Sequence, residues 1–497
     1  MSHIGNAIGP LTKQSEPAYR QLYEQIRTAI LSGQFAAGTR LPASRQLADE
    51  MGVSRNTILA AYDQLHAEGY VEGRRGSGTY VAGVLPDRRR PARYAAFQDP
   101  GDAGRMPRLS VRGTRLSAAP RLPLPSTTGI AKDSAAFQIG LPALDGFPHR
   151  LWARLYTTRV HLAEGQLMRY GDPAGFRALR EQIAAHVATS RGIRCTADQI
   201  VIVSGSQQAL EFCCRILLDR GSPAWLEDPC YLGARAALIS AEATLVPVPV
   251  DSQGLDVIAG VAKEPCARLT IVTPSHQFPL GVTMSLERRL ALIDWAVKTG
   301  SWIVEDDYES EFRYRGRPLA ALKSIDSHNR VIYVGTFSKT MFPALRLGYI
   351  IAPDQIVDAL IAAHLSSDVH VHLLDQAVMA DFLAAGHYAR HVRRMRMLCG
   401  QRQQALISDA RRLGDLLRVE ASGGGLHAVG WLPAGIDDRE VAERAAAAGV
   451  HVWPLSLHTL AEWRPPALLL GYAGTPAPEI RRGIDALGEA IGFTPVT

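Results

Sequence analysis

Lys339 ends the segment TFSK just after the apolar run RVIYVG, and Arg346 follows it by seven residues, with Ser338 immediately before the lysine. A lysine amine can capture an aldehyde as a Schiff base, and serine and arginine side chains can hold a phosphate. Asp306 and Tyr308 close a second apolar run, SWIVE, offering a carboxylate and a hydroxyl. Ser206 and Gln207 follow a third, IVIVSG, at a turn feeding a helix whose free N–H groups can hold an anion. A fourth run, RLTIV, leads into TPSHQFPLG. Taken singly these signals are modest, since a lone lysine after a strand is most often a surface residue and SGSQ is by itself only a helix start.

The elements that must position these groups come next. From about Phe137, the runs QIVIVSG, PAWLED, RLTIVTP, SWIVEDD and RVIYVGT alternate with helical stretches, which implies a mainly parallel sheet covered by helices. Ligand groups are then expected in loops at the C-terminal strand ends, where all of these residues fall. An anion cradle, a carboxylate, a tyrosine and a lysine at corresponding strand ends suit pyridoxal 5′-phosphate. That cofactor needs a lysine for its aldehyde, a carboxylate to keep its pyridine nitrogen protonated and donors for its phosphate.

TFSK, followed seven residues after its lysine by arginine and then LGY, resembles the fold-type I aminotransferase signature from roughly Ala135 to the C-terminus. The resemblance implies an α/β fold over residues 131–497, with a large part at about 150–380 and a small one at about 385–497. It also implies roles: Lys339 for the Schiff base, Asp306 for the pyridine nitrogen, Tyr308 for the 3′-oxygen and Tyr231 of EDPCY stacked on the ring. Ser206, Gln207, Ser338 and Arg346 would hold the phosphate. Tyr170 of MRYGDPAG resembles the tyrosine that reaches the partner subunit's phosphate, although a core tyrosine fits nearly as well. Two departures stand out. The superfamily's Asn-Pro-x-Gly is here Phe278-Pro279-Leu280-Gly281, and Leu468, Leu469 and Leu470 stand before Gly471-Tyr472, where enzymes carry the arginine that grips a substrate carboxylate. Loss of that bidentate fork makes amino-acid transamination a weaker expectation.

Residues 16–84 form a second unit. Tyr19, Leu22, Tyr23, Ile26, Ala29 and Ile30 make one helical stripe, and Ser44 is placed to cap a short second helix. A third is expected from Arg55, with Ile58, Ala61, Tyr62 and Leu65 inward and Arg55, Asn56 and Thr57 in its exposed first turn. Two short strands around GRRGSG would put Arg74 and Arg75 at a wing tip. Eight basic and seven acidic residues up to Gly83 leave a protein-docking module open on charge alone. The segment LPASRQLADEMGVSRNTILAAYDQLHAEGYVEGRRGSGTYV, however, resembles the winged helix-turn-helix of GntR regulators. That implies an α+β fold that binds double-stranded operator DNA through Ser44, Arg45, Arg55, Asn56, Thr57, Arg74 and Arg75.

Between the units, residues 85–130 are rich in proline and arginine. Val84–Ile130 holds nine arginines against three aspartates and seven prolines, the pattern of an extended, solvated linker. Over the whole 497-residue chain, 47% apolar and 21% charged residues exclude disorder, collagen and coiled coil. No apolar stretch is long enough for a membrane span and the first residues lack a signal peptide's pattern, so a cytoplasmic protein is expected. The six cysteines form no CxxC pair and read as reduced, buried thiols. Histidines 364, 370 and 372 lie close together, and His387 and His391 have the i, i+4 helical spacing suitable for a metal but no evident carboxylate or cysteine partner, so all read as solvated or core groups and no metal site is expected.

Winged helix, basic linker and aminotransferase-like domain together resemble the MocR/GabR group of bacterial regulators. The group implies a head-to-tail homodimer that senses a ligand at pyridoxal phosphate, either the cofactor itself or a primary amine that displaces Lys339, and changes its grip on DNA. An active aminotransferase with a DNA-binding appendage is the competing reading, and a binding module without cofactor a third.

Overall fold

The computed structural model describes residues 9, 16–74, 77–85, 109–119, 136–162, 165–314, 320–461 and 465–492. The chain divides into two compact units, Met1–Arg108 and Leu109–Thr497.

In the first unit, helices Ala18–Leu31, Ser44–Met51 and Arg55–Ala67 precede a hairpin of β1 (Val71–Arg74) and β2 (Gly78–Val81), with Val71 opposite Val81. Leu22, Ile26, Leu47, Ile58, Leu65 and Val81 meet in one core. The expected stripe on the first helix is buried except for Tyr19, which is 39% exposed at the helix start. The second helix departs from expectation at its first residue. Ser44 is already helical and Ala43 occupies the cap position, so the Ser44 hydroxyl is free to accept from Arg55 Nε at 3.3 Å. Gly52, left-handed at φ 65°, ends that helix. Ser54 then caps the third, its hydroxyl accepting from the Thr57 N–H at 3.2 Å.

The second unit is built on an eight-stranded sheet: β3 (Ile200–Val203), β4 (Pro223–Asp228), β5 (Thr244–Asp251), β6 (Gly254–Leu255), β7 (Leu269–Val272), β8 (Trp302–Asp307), β9 (Val331–Thr336) and β10 (Gly348–Ile351). Their order is β3-β10-β9-β8-β7-β4-β5-β6. Pairs β5/β4, β4/β7, β7/β8 and β8/β9 are parallel, whereas β10 runs antiparallel between β3 and β9. β3, β4, β7, β8 and β9 are the five runs read from the sequence, and β3, β7, β8 and β9 are buried throughout, as strands covered on both faces must be. Register decides what meets what. Gly348 lies opposite both Val203 and Thr336, so the chain leaving β3, leaving β9 and entering β10 comes together at one edge.

A smaller antiparallel sheet, β11 (Arg418–Val419), β12 (His427–Trp431), β13 (Trp453–Pro454) and β14 (Ala467–Gly471), has the order β11-β12-β14-β13. Helices His387–Ala410 and Ala477–Ile491 share its core through Leu406, Leu468, Leu470, Ile480, Ile484 and Leu487.

The stretch expected to be an extended linker is not extended throughout. Val111–Ala118 is a helix belonging to the second unit, against helix Leu232–Ser240. Leu109–Ala118 contains no proline, and the Ser110 hydroxyl caps the turn by accepting from Gly113 N–H at 3.0 Å. The cysteines are all free thiols. Cys213, Cys214, Cys230 and Cys399 are buried and Cys195 partly so, but Cys266 is exposed, contrary to the expectation of uniformly buried thiols.

Candidate functional site

Asp306 and Asp307 end β8 side by side, both buried and each with an unpartnered Oδ1, but only Asp307 has a cation and hydroxyls on its other oxygen. The Asp307 carboxylate is 2.5 Å from the Arg191 guanidinium and accepts from the Tyr333 hydroxyl at 2.8 Å, so its charge is neutralised inside the fold. Asp306 is 4% exposed and its Oδ1 has no hydrogen-bond partner. Burial, then the Asp307 charge, pushes its carboxyl up to about 7, while nearby Lys339 acts in the opposite sense. A carboxylate buried without a donor is costly, and such groups mark places where a ligand supplies the missing proton.

Lys339 follows β9 and is half-buried. Burial holds its amine below the ordinary lysine range, and Nζ donates to the Gly140 carbonyl at 3.2 Å. Gly140 adopts φ 77°, a left-handed conformation that favours glycine, and a Cβ there would lie 2.5 Å from Nζ and displace the amine.

The phosphate-type groups meet where the register brings β3, β9 and β10 together. Ser206 and Gln207 open helix Ser206–Leu217 after Gly205, whose φ is 98°. A Cβ at Gly205 would lie 3.1 Å from an Arg346 guanidinium nitrogen, which places that arginine at the helix start. Arg346 itself adopts φ 49°, a left-handed conformation costly for any side chain other than glycine. Ser338 is buried with its hydroxyl unpartnered, and Gln207 Oε1 is buried and unpartnered as well. The Arg346 guanidinium thus lies at the N-terminus of helix Ser206–Leu217, where backbone N–H groups have no partner within the helix.

Tyr308 donates its hydroxyl to the His276 carbonyl at 3.0 Å. Phe278 stands edge-on to both Tyr308 and Tyr231, with ring centroids 6.0 and 5.7 Å apart. Tyr231 immediately precedes helix Leu232–Ser240, and burial raises its hydroxyl. Leu468, Leu469 and Leu470 are buried in β14, and Leu469 joins the apolar patch around Phe278 and Trp453. Tyr170 stands apart: it is 88% exposed and packs edge-on against His370.

In the first unit, Arg45, Arg55 and Asn56 are exposed, and Thr57 is half-buried with its hydroxyl 2.9 Å from that of Ser54. The Arg55–Ser44 contact joins the first turns of the second and third helices. Arg74 lies over the Tyr80 ring and pairs with Glu72 at 3.0 Å. Arg75 lies outside the described residues.

Four residues were missed by sequence reasoning: Gly140, His276, Glu309 and His427. His276 sits in TPSHQFPLG at a strand end and Glu309 directly follows Tyr308, so position was the available signal. Of the histidines read as core or solvated, His364 bonds the Pro173 carbonyl and His391 the Thr340 carbonyl, both buried, while His372 is exposed.

Residues 18–81 match the bacterial regulatory proteins of the gntR family and residues 145–487 match the class I and II aminotransferases. The probable rhizopine catabolism regulatory protein MocR of Rhizobium meliloti is 40% identical over 95% of this chain and 94% of its own. The chain belongs to the MocR-type regulators. Another relative, the HTH-type pyridoxine biosynthesis transcriptional regulator PdxR of Corynebacterium glutamicum, is 32% identical over 85% of this chain and 84% of its own. The second unit is also similar to Pyrococcus horikoshii kynurenine aminotransferase, with a TM-score of 0.67 and 28% identity over 72% of this chain and 91% of that one. A MocR-type protein is thus an HTH-type transcriptional regulator on an aminotransferase fold. Among the described residues, no helix is long and apolar enough to cross a membrane.

Proposed function

We propose that this MocR-type regulator holds pyridoxal 5′-phosphate in its second unit and senses either that cofactor or a primary amine there, altering how paired winged helices grip operator DNA. The observation that carries the reading is that, among the buried polar atoms without partners, Asp306 Oδ1 and the Ser338 hydroxyl stand at neighbouring strand ends beside Lys339. The donor set fits the cofactor. Asp306 would take a protonated ring nitrogen, Ser206, Gln207, Ser338 and Arg346 a phosphate, Tyr308 the 3′-oxygen and Tyr231 a ring face. Lys339 would hold the aldehyde carbon. When bound, the group supplies an aldehyde that a primary amine can capture in exchange with that lysine.

An amine without a carboxylate is favoured as effector over an amino acid. The leucines at 468–470 give a carboxylate no guanidinium fork. A cavity of about 250 Å³ between Pro279–Val282 and the smaller sheet carries Glu420 and His427 in its lining but no lysine or arginine. Exposed Tyr170 suits a residue offered to a second subunit in a head-to-tail dimer, whose two-fold axis would match paired half-sites. Arg45, Arg55, Asn56, Thr57, Arg74 and Arg75 would face the DNA.

The test is binding of cofactor-free protein to its own upstream DNA at fixed salt, with and without pyridoxal phosphate and then with primary amines. A change in affinity or complex size is expected for one of them, because a ligand shifts an equilibrium only by binding two states unequally. Steady-state transamination at roughly 1 per second or faster would replace this reading with that of an enzyme.

A further inference from the structure

Behind Tyr308 lies a buried polar cluster that cofactor binding does not use. Glu309 follows Tyr308 after β8, His276 comes from the loop after β7, and His427 from β12 of the smaller sheet. All three are buried. His276 Nδ1 is 2.5 Å from Glu309 Oε1 and 3.3 Å from the Tyr308 hydroxyl. The other carboxylate oxygen, Glu309 Oε2, accepts from the Leu426 N–H at 3.1 Å. His427 donates Nε2–H to the Pro279 carbonyl at 3.0 Å, which leaves its Nδ1 facing Glu309 at 3.9 Å. A Cβ at Gly425 would lie 2.5 Å from the His276 ring, so the glycine turn before β12 is pressed against the cluster.

Other charged and titratable groups surround it. Tyr314, Tyr472 and Cys399 feel the Glu309 charge from the smaller-sheet side, and Lys339 feels it from the loop after β9. Arg191 and Arg313 line the small cavity that Glu309 and His276 share, while burial, then Glu309 by its charge and by direct interaction with the hydroxyl, and after it Asp306 and Glu227, push the Tyr308 hydroxyl up. His276, then His427 and the Tyr308 hydroxyl, keep Glu309 below the usual carboxylate range despite its burial.

We propose that Glu309 is a positioning residue: through His276 it holds the Tyr308 hydroxyl ready to donate to the cofactor's 3′-oxygen, and through the Leu426 N–H it ties that hydroxyl to the chain entering the smaller sheet. The Glu309 charge, 2.5 Å from Nδ1, favours a proton on that nitrogen, which lies within hydrogen-bond reach of the Tyr308 oxygen at 3.3 Å. That oxygen then acts as acceptor toward His276, and its own hydrogen is left to be given elsewhere. In the structure it goes to the His276 carbonyl. This inference rests on the cofactor reading above, and it assigns to Glu309 and His276 the support that Phe278 cannot give in place of asparagine.

The experiment follows the pH midpoint of the visible absorbance that Lys339 gives with pyridoxal phosphate. A hydroxyl donating to the 3′-oxygen favours its anion and lowers that midpoint. Tyr308→Phe should therefore raise it. Glu309→Gln, whose amide would turn His276 Nδ1 into an acceptor for the Tyr308 hydrogen, should raise it in the same sense by about 0.5 to 1 pH unit, a three- to tenfold change in the equilibrium. The double variant should rise no further than Tyr308→Phe alone. A fall in Glu309→Gln would mean that its charge acts directly on Lys339, and an unchanged or additive midpoint would mean a structural role; each overturns the proposal. His276→Asn reads the same link from its other end and should also raise the midpoint if Glu309→Gln folds poorly. Absence of any Lys339-dependent band in the unaltered protein would instead remove the cofactor reading itself.

Discussion

The two units keep their chemistry in opposite places. In the first, Arg45, Arg55 and Asn56 are exposed on helices whose stability comes from the apolar face behind them. In the second, Asp306, Ser338 and Gln207 hold buried atoms that no protein group satisfies. The difference teaches where each function draws its free energy. Surface groups give up little when the protein folds and act only when a polyanion arrives, whereas the buried ones destabilise the empty fold until a ligand completes them.

Replacing Lys339 by alanine should abolish the visible cofactor band while leaving the first unit's affinity for nonspecific DNA unchanged, read by absorbance and by fluorescence anisotropy. Loss of both would break the contrast between the units. Asp306→Asn should have the next largest effect, and its sign separates the two kinds of site. The Asp306 carboxyl is pushed up to about 7 in the fold, above its ordinary value of 3.8, so between those limits the folded state binds more protons than the unfolded one. Stability of the cofactor-free protein should therefore fall as pH rises from about 4 to about 7, through this group, by an amount on the order of a few kcal/mol. Asp306→Asn should flatten that slope in thermal melts at pH 5 and 7 while weakening cofactor retention.

For the first unit, Arg55→Ala should weaken specific binding by about five- to 150-fold, matching the roughly 1–3 kcal/mol of a bidentate base contact, with the melting temperature unchanged. A drop in melting temperature together with unchanged operator affinity would show that Arg55 serves the Ser44 contact instead of DNA. The smallest effect is expected from Ser54→Ala, which removes a helix cap and should cost about 0.5–2 kcal/mol in denaturant unfolding.

The sequence made the strand ends legible because Lys339, Asp306, Tyr308 and Ser206 each follow a continuous apolar run, and a strand's direction then places its last residue. The seven-residue interval from Lys339 to Arg346 is local too, a turn between neighbouring antiparallel strands β9 and β10. What stayed hidden needed segments far apart in the chain. Glu309 and His427 meet only because β12 of the smaller sheet lies against the ends of β7 and β8, and no spacing within one segment announces that. Helix Val111–Ala118 was masked by the arginines and prolines around it, although its own eight residues contain no proline. Ser44 looked like a cap because its side chain suits one, yet Ala43 has the extended backbone of the cap position.

The uneven burial of the cysteines offers a practical handle. Burial raises the Cys195 thiol to about 11 and those of Cys214, Cys230 and Cys399 to about 12, leaving little thiolate near neutral pH. Cys266, exposed on the second unit, should react first with a maleimide dye. A single fluorophore there, paired with one at the end of an operator duplex, would report by energy transfer the distance of the second unit from DNA with and without pyridoxal phosphate, with no cysteine engineered into the chain.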